Sequence, residues 1–459
     1  AKATNDKLSH PNCASRLSEA CRLNSKFDEC RKWLKESLST CNENKDHPDH
    51  THLSFDILIR IGTLDIDEGK LDDAEKIFNE CKKLLHALND PIKTATLHGN
   101  FGTLHLQQGK LQESYGEFED MVEICKKHDY KHMSIKPLSN MGVIHNQQGD
   151  IKKANAMFGK MIKVAEEVGD RKAVAQTYGN MGISHAIIGE HELAIKNYDI
   201  QIGISKKLND KYNLLNANNN IGYSYNEMGN HEKAIEFTKN SLRINDEVGV
   251  PYTRAQSCDN LGIAYNELGK FDKAKEYYEE ALKIFQDTKN SRGAAEVEGG
   301  LGVTCMGETD FSGAIKYFDS ALTLFQEIKD IPHLGKYHLK RAQAFMETNN
   351  HEKALHDIEQ SLEHANSMHD TALEFEGNIY KVLVELNLSN IDKNNALESI
   401  IKLRKKASTD GQKALCFFHG WKVGDKPKDR KCALELYEKL NKLSPSHFHV
   451  KQLSSLQNN

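Results

Sequence analysis

Residues 255–290 read AQSCDNLGIAYNELGKFDKAKEYYEEALKIFQDTKN. Leu261, Gly262, Tyr265 and Leu268 fall on one face of a first helix, A. Gly269 then lets the backbone turn. Phe271, Ala274, Tyr277, Tyr278, Ala281, Leu282 and Phe285 give a second helix, B, with the same 3.6-residue period. Gly262 and Ala274 are small where the helices must approach closely, and Tyr278 fills the next gap. Outward from this stretch the pattern recurs every forty residues. Its helix-A glycines are Gly62, Gly102, Gly142, Gly182, Gly222, Gly262 and Gly302. Turn glycines keep step at Gly69, Gly109, Gly149, Gly189, Gly229 and Gly269, and Ala74, Ser114, Ala154, Ala194, Ala234, Ala274, Ala314 and Ala354 follow. Self-similarity at such a period means stacked repeats, each burying its apolar face on its neighbours.

The shared pattern, L-G-x-x-Y-x-x-x-G-x-(F/H)-x-x-A-x-x-x-Y/F-x-x-A-L, resembles the tetratricopeptide repeat over about residues 56–365, in eight units. That resemblance implies an all-α chain: a right-handed α-solenoid of tandem helix-turn-helix units. The forty-residue spacing, longer than the usual 34, is similar to the LGN/Pins (partner of Inscuteable) group, and less closely to rapsyn and kinesin light chain. Pins-type proteins follow their repeats with short G-protein-binding motifs; residues 371–459 contain none, so that linkage is not expected. The pattern decays at the end of the array, where Thr309 replaces a turn glycine and Ala342 and Asn349 replace both glycines of the eighth unit.

Three segments are expected: a capping hairpin over 1–50, eight units over 51–370, and degenerate repeats with a cap over 371–459. The N-terminal hairpin reads as 14–41 with its turn near residue 25, and two less regular hairpins as 372–407 and 411–443. Trp33 and Trp421, the two tryptophans, fall in these caps and are expected to plug open ends. With Lys+Arg 61 against Asp+Glu 66, the chain has no basic excess, so nucleic-acid binding has no electrostatic support. No apolar run approaches the ~18–20 residues needed to span a bilayer, so no membrane insertion is expected. Loss of an initiator Met before Ala1 and removal of a signal peptide would look alike.

Two residues before the helix-A glycine stands an amide in five successive units: Asn100, Asn140, Asn180, Asn220 and Asn260. Asparagine is a mediocre mid-helix residue, so something selects it there. A carboxamide offers two donors and an acceptor and matches a peptide bond whatever the adjoining side chain. The tetratricopeptide resemblance implies that this position faces the concave groove, as in the asparagine ladders that hold extended ligands. Rungs ~10 Å apart would meet about every third residue of an extended chain. Amides that only tie neighbouring helices together are the alternative, and the two roles can coexist. Around the rungs lie Asn219, Asp259, Tyr223, Asn226, Asn266, Glu227 and Glu267, with Asn146, Gln107 and Gln147 in neighbouring units. This amide-rich, mildly acidic set lacks the Lys/Arg group that clamps a terminal carboxylate. An internal, extended, neutral to basic partner segment is expected.

His105, His145 and His185 share one repeat position with Tyr225 and Tyr265. Equivalent points ~10 Å apart cannot share a metal ion, so rings standing in for tyrosine are expected, with no metal site. Cys21 with Cys30, Cys13 with Cys41, and Cys416 with Cys432 are spaced for disulfide-stapled caps, as in a secreted protein; buried free thiols are the alternative. Compartment follows that choice, cytoplasm being the reading for free thiols. One Asn-x-Ser sequon stands at Asn387. No nucleophile elbow, phosphate loop or paired-acid motif appears, so a non-enzymatic protein- or peptide-binding scaffold without cofactor is expected. The alternatives are a structural subunit of a larger assembly and a peptide-sensing receptor that changes curvature.

Overall fold

The computed structural model describes residues 9–23 and 26–457. The turn expected near residue 25 lies outside them. Among the described residues there are twenty-three α-helices, one short 3-10 turn and no strand. They form two compact units, Ala1–Ile188 and Gly189–Asn459. The boundary falls inside the fourth regular hairpin, between its helix A and its helix B.

The first unit holds α1 (Ser9–Leu23), α2 (Phe27–Asn42), α3 (His50–Asp67), α4 (Leu71–Leu88), α5 (Pro91–Gln107), α6 (Leu111–Lys127), α7 (Ile135–Gln147), α8 (Ile151–Glu167) and α9 (Arg171–Ile187). The second holds α10 (His191–Leu208), α11 (Lys211–Glu227), α12 (His231–Val248), α13 (Pro251–Glu267), α14 (Phe271–Asp287), α15 (Ser291–Gly307), α16 (Phe311–Glu327), α17 (Ile331–Glu347), α18 (His351–Met368), α19 (Thr371–Asn387), α20 (Lys393–Lys406), α21 (Asp410–Gly424), α22 (Pro427–Leu443) and α23 (His447–Gln457).

The repeat chemistry works as its spacing predicts. A Cβ added at Gly262 would lie 2.5 Å from the Tyr278 ring, and one at Gly102 2.6 Å from Phe118. Glycine is there because the aromatic ring of helix B lies on its backbone. Ala74 and its seven counterparts are all fully buried at the same contact. The turn glycines adopt left-handed backbone, Gly269 with φ +68°, which L-residues reach at a cost. Thr309 and Asn349 take that conformation without glycine, at φ 66° and 57°. Next to many turns an acid caps the following helix: Asp310 accepts from the Gly313 N–H at 2.9 Å and Asp170 from Ala173 at 2.9 Å.

The ends are closed by apolar clusters. In the first unit Cys21, Cys30, Leu34 and Cys41 pack with Leu53, Ile57 and Leu64 of α3, and half-buried Trp33 lies against them. In the second, Trp421 is buried with Phe418, Tyr437 and Leu456. Leu456 belongs to α23, a helix beyond the hairpin expected over 411–443, so Trp421 is covered by chain instead of standing at an open end.

Candidate functional site

Curvature decides which face can hold a ligand. In the second unit successive A helices touch: α11 with α13, α13 with α15, and α15 with α17. Among the described residues successive B helices make no comparable contact. A row of hairpins that is closer on one side bends toward that side, so the A helices line a concave face. In the first unit α3 meets α5 and α7 meets α9 in the same way.

The asparagine row lies along these A–A seams, and its members are used differently. In the first unit Asn100 donates to the Thr96 carbonyl at 2.8 Å, and Thr63 Oγ1 stands 3.1 Å from its Oδ1. Asn180 donates to Ser139 Oγ at 3.2 Å, and Ser184 Oγ stands 2.9 Å from Asn146 Oδ1. In the second unit buried Asn260 donates to Asn219 Oδ1 at 3.1 Å, which also receives Ser257 Oγ at 2.9 Å. Asn226 donates to the Asn260 carbonyl at 2.8 Å, its Oδ1 facing His231 Nδ1 at 3.2 Å. In the next hairpin Phe271 replaces that histidine, and buried Asn266 Oδ1 has no partner. Asn219, Asn226, Asn260 and Asn266 thus sit within the helix packing. Asn140 and Asn220 are half-buried and their amides make no hydrogen bond among the described residues.

The row stops at Gly300 for a steric reason. A Cβ there would lie 2.7 Å from Tyr278 Cζ, and one at Gly299 2.2 Å from Tyr337 Cζ. Tyrosine rings from α14 and α17 occupy the space a rung would need.

Charged groups surround that bare stretch of α15. Tyr223 is 41% exposed on α11, with Glu227 and Glu296 close enough to act with burial in raising its hydroxyl pKa. Asp259 on α13 is half-buried; burial first, then Glu296, pushes its carboxyl up to about 7 against the pull of Lys336. Burial likewise raises Glu267, with Lys340 opposing it. Lys336 has an exposed side chain, yet burial inside the concavity and the neighbouring Lys340 lower its amine, while Glu227, Glu296 and Asp259 act against the shift. The groove therefore does carry lysines, contributed by α17, where an amide-rich lining without basic residues is the sequence expectation. The signal was the register itself: Lys340 stands two residues before Ala342, on the asparagine position.

The histidine series behaves as ring packing. His145 lies 5.2 Å from Tyr115, and Tyr265 stacks on Tyr277 at 5.6 Å. Among the described residues His98, Glu117 and Asp120 are the one set with metal-ligand atoms within 4.8 Å of one another, and His98 Nδ1 is already bonded to Glu117 at 2.7 Å. All ten cysteines are free thiols in the structure. Cys21 and Cys30 share one cluster, but Cys13 is exposed while Cys41 is buried, 3.3 Å from Ser54 Oγ. Cys416 is buried and Cys432 half-buried. No helix among the described residues is long and apolar enough to cross a membrane.

The tetratricopeptide repeat family matches residues 213–287, which span α11 to α14. No curated protein matches the chain. Among solved structures, the apo form of RapI covers 79% of this chain and 99% of its own, with 12% identity and a TM-score of 0.58. A Rap protein complexed with competence and sporulation factor covers 79% and 99%, with 13% identity and a TM-score of 0.55. Aspartyl phosphate phosphatase F from Bacillus subtilis covers 81% and 97%, with 13% identity and a TM-score of 0.53. At these identities the likeness is one of fold. The finer likeness to the LGN/Pins group rests on repeat length.

Proposed function

We propose that the chain is a non-enzymatic scaffold whose concave A-helix face holds an extended segment of a partner protein or peptide. The observation that carries this reading is one unengaged rung in each unit, Asn140 in the first and Asn220 in the second, where Asn100, Asn180 and Asn260 are tied to adjacent helices of their own unit. Both amides are half-buried and open to solvent, so each can exchange water for a passing peptide bond, whatever its side chain. Tyr223, Asp259, Glu227 and Glu267 then supply selectivity around Asn220. A solved structure of similar fold, the Rap protein complexed with competence and sporulation factor, is in keeping with a groove that takes a ligand. We take cytoplasm as the setting, in keeping with ten free thiols.

The test is a random decapeptide array probed with wild type, with Asn140→Ala and with Asn220→Ala. At ~0.5–1.5 kcal/mol per hydrogen bond, loss of the one bond at a rung should weaken the peptides that unit retains about 2- to 13-fold. Circular dichroism should be unchanged, because neither amide holds the helices together. Undiminished peptide retention would sink the groove reading, and lost helicity would make the two rungs structural.

A further inference from the structure

Five charged side chains on the concave face of the second unit form no ion pair or hydrogen bond among the described residues: Glu227, Asp259 and Glu267 on α11 and α13, and Lys336 and Lys340 on α17, Lys336 lying over the Tyr337 ring at 5.4 Å. Neighbouring charges on α13, α15 and α17 are closed. Arg341 grips Asp357 at 2.7 Å through two nitrogens and Asp319 at 2.6 Å. Arg254 Nη1 meets Asp246 at 2.8 Å, and Arg292 meets Glu296 at 3.1 Å. The unpaired set is therefore not what the local surface does by default.

Opposite charges that could touch inside a concavity would close into ion pairs. These do not, because α15 lies between their helices, packed there through Gly299 and Gly300 onto the buried Tyr337 and Tyr278 rings. An acidic wall and a basic wall face each other across α15, where Gly299 and Gly300 carry no side chain and Glu296, already held by Arg292, is the acid between them. We infer that this gap takes a charge-alternating stretch of an extended peptide, its basic side chain toward Glu227 and Asp259 and its acidic one toward Lys336 and Lys340. The inference rests on the groove reading above and narrows its ligand from neutral or basic to mixed charge. A helices packed 8–10 Å apart put the two walls on the order of 20 Å apart at the backbone. Long side chains from both walls shorten that span, so at ~3.3 Å per residue the two ligand charges stand about four residues apart. The titration behaviour agrees: burial disfavours the charged forms of Asp259, Glu267 and Lys336 alike, and a ligand carrying both signs compensates both walls.

Fluorescein-labelled decapeptide pools, random except at two positions four apart, test this by anisotropy. The fixed pairs are Lys and Glu in both orders, Lys and Ala, Ala and Glu, and Ala and Ala. The mixed pool should bind at least ten-fold tighter than the Ala and Ala pool, and tighter than either single-charge pool. Asp259→Asn should erase the gain from Lys and leave that from Glu; Lys336→Gln should do the reverse. Should Asp259→Asn lose helicity, Glu227→Gln serves as the acidic-wall variant. A Lys and Ala pool as tight as the mixed one would overturn the proposal in favour of a purely basic ligand. Equal binding of all pools would overturn it while leaving the groove reading intact, and no binding of any pool would sink both.

Discussion

Asp259 shows how one residue can be costly for folding and useful for binding. Its carboxyl ionises at about 7 in the folded chain, against a reference value of 3.8. Between those values the folded state holds more protons than the unfolded one, so stability falls as pH rises from about 4 to about 7. Above that window the full cost of an ionised, half-enclosed carboxylate remains. Asp259→Asn removes the titration but keeps the shape. It should leave stability unchanged near pH 4 and raise it at pH 8, by about 1–2 kcal/mol once solvent screening is allowed for. Urea unfolding at the two pH values checks this, and an equal gain at both would mean that the carboxyl is not disfavoured in the groove. None of this was readable from composition. Asp259 was identified by its place in the repeat register, but its environment depends on Glu296 and Lys336, which only curvature brings near.

At the level of the hairpin, sequence and structure agree closely, because the determinants are local. Glycine at position 262 faces an aromatic sixteen residues on, and the same pair recurs as Gly102 with Phe118 and Gly302 with Phe318. Gly262→Ala would place a methyl 2.5 Å from the Tyr278 ring. The ring cannot yield easily, since its far edge already lies over Gly300. Overpacking of this kind costs about 1–3 kcal/mol, which outweighs the ~1 kcal/mol gain in helix propensity from glycine to alanine. Thermal unfolding should therefore show a lower Tm for Gly262→Ala, and a rise would mean that Tyr278 moves freely. Less legible were features set by the next hairpin along. That Asn219 and Asn260 bond each other, while Asn220 one step away does not, depends on the rotation between successive A helices. α23 was missed for another reason: HFHVKQLSSLQ is short and carries little apolar periodicity of its own.

Taken as one body, the second unit bends far enough for its end to meet its middle. α23 packs against α13, and His447 sets its ring edge-on to Phe271 at 4.9 Å. Ser444, at the corner before α23, lies on the turn at Gly229. The groove between is thus bounded by chain at its far side, and the contact can be tested by a matched pair of glycines. Gly229 and Gly109 occupy the same turn in different repeats, with φ +72° and +74°. Around Gly109 nothing lies within 4 Å of an added Cβ, whereas at Gly229 it would meet Ser444 Oγ at 1.9 Å and Cα at 3.1 Å. Gly109→Ala should therefore cost only the left-handed backbone penalty, about 1–2 kcal/mol. Gly229→Ala carries the same penalty and must also push the corner away. Hydrogen exchange should then accelerate through α23 in Gly229→Ala and stay unchanged there in Gly109→Ala. Equal protection of α23 in both variants would mean that the corner rests on the turn without holding the end of the unit in place. Faster exchange in Gly229→Ala alone would make Ser444 and His447 the clasp that sets how widely the groove opens.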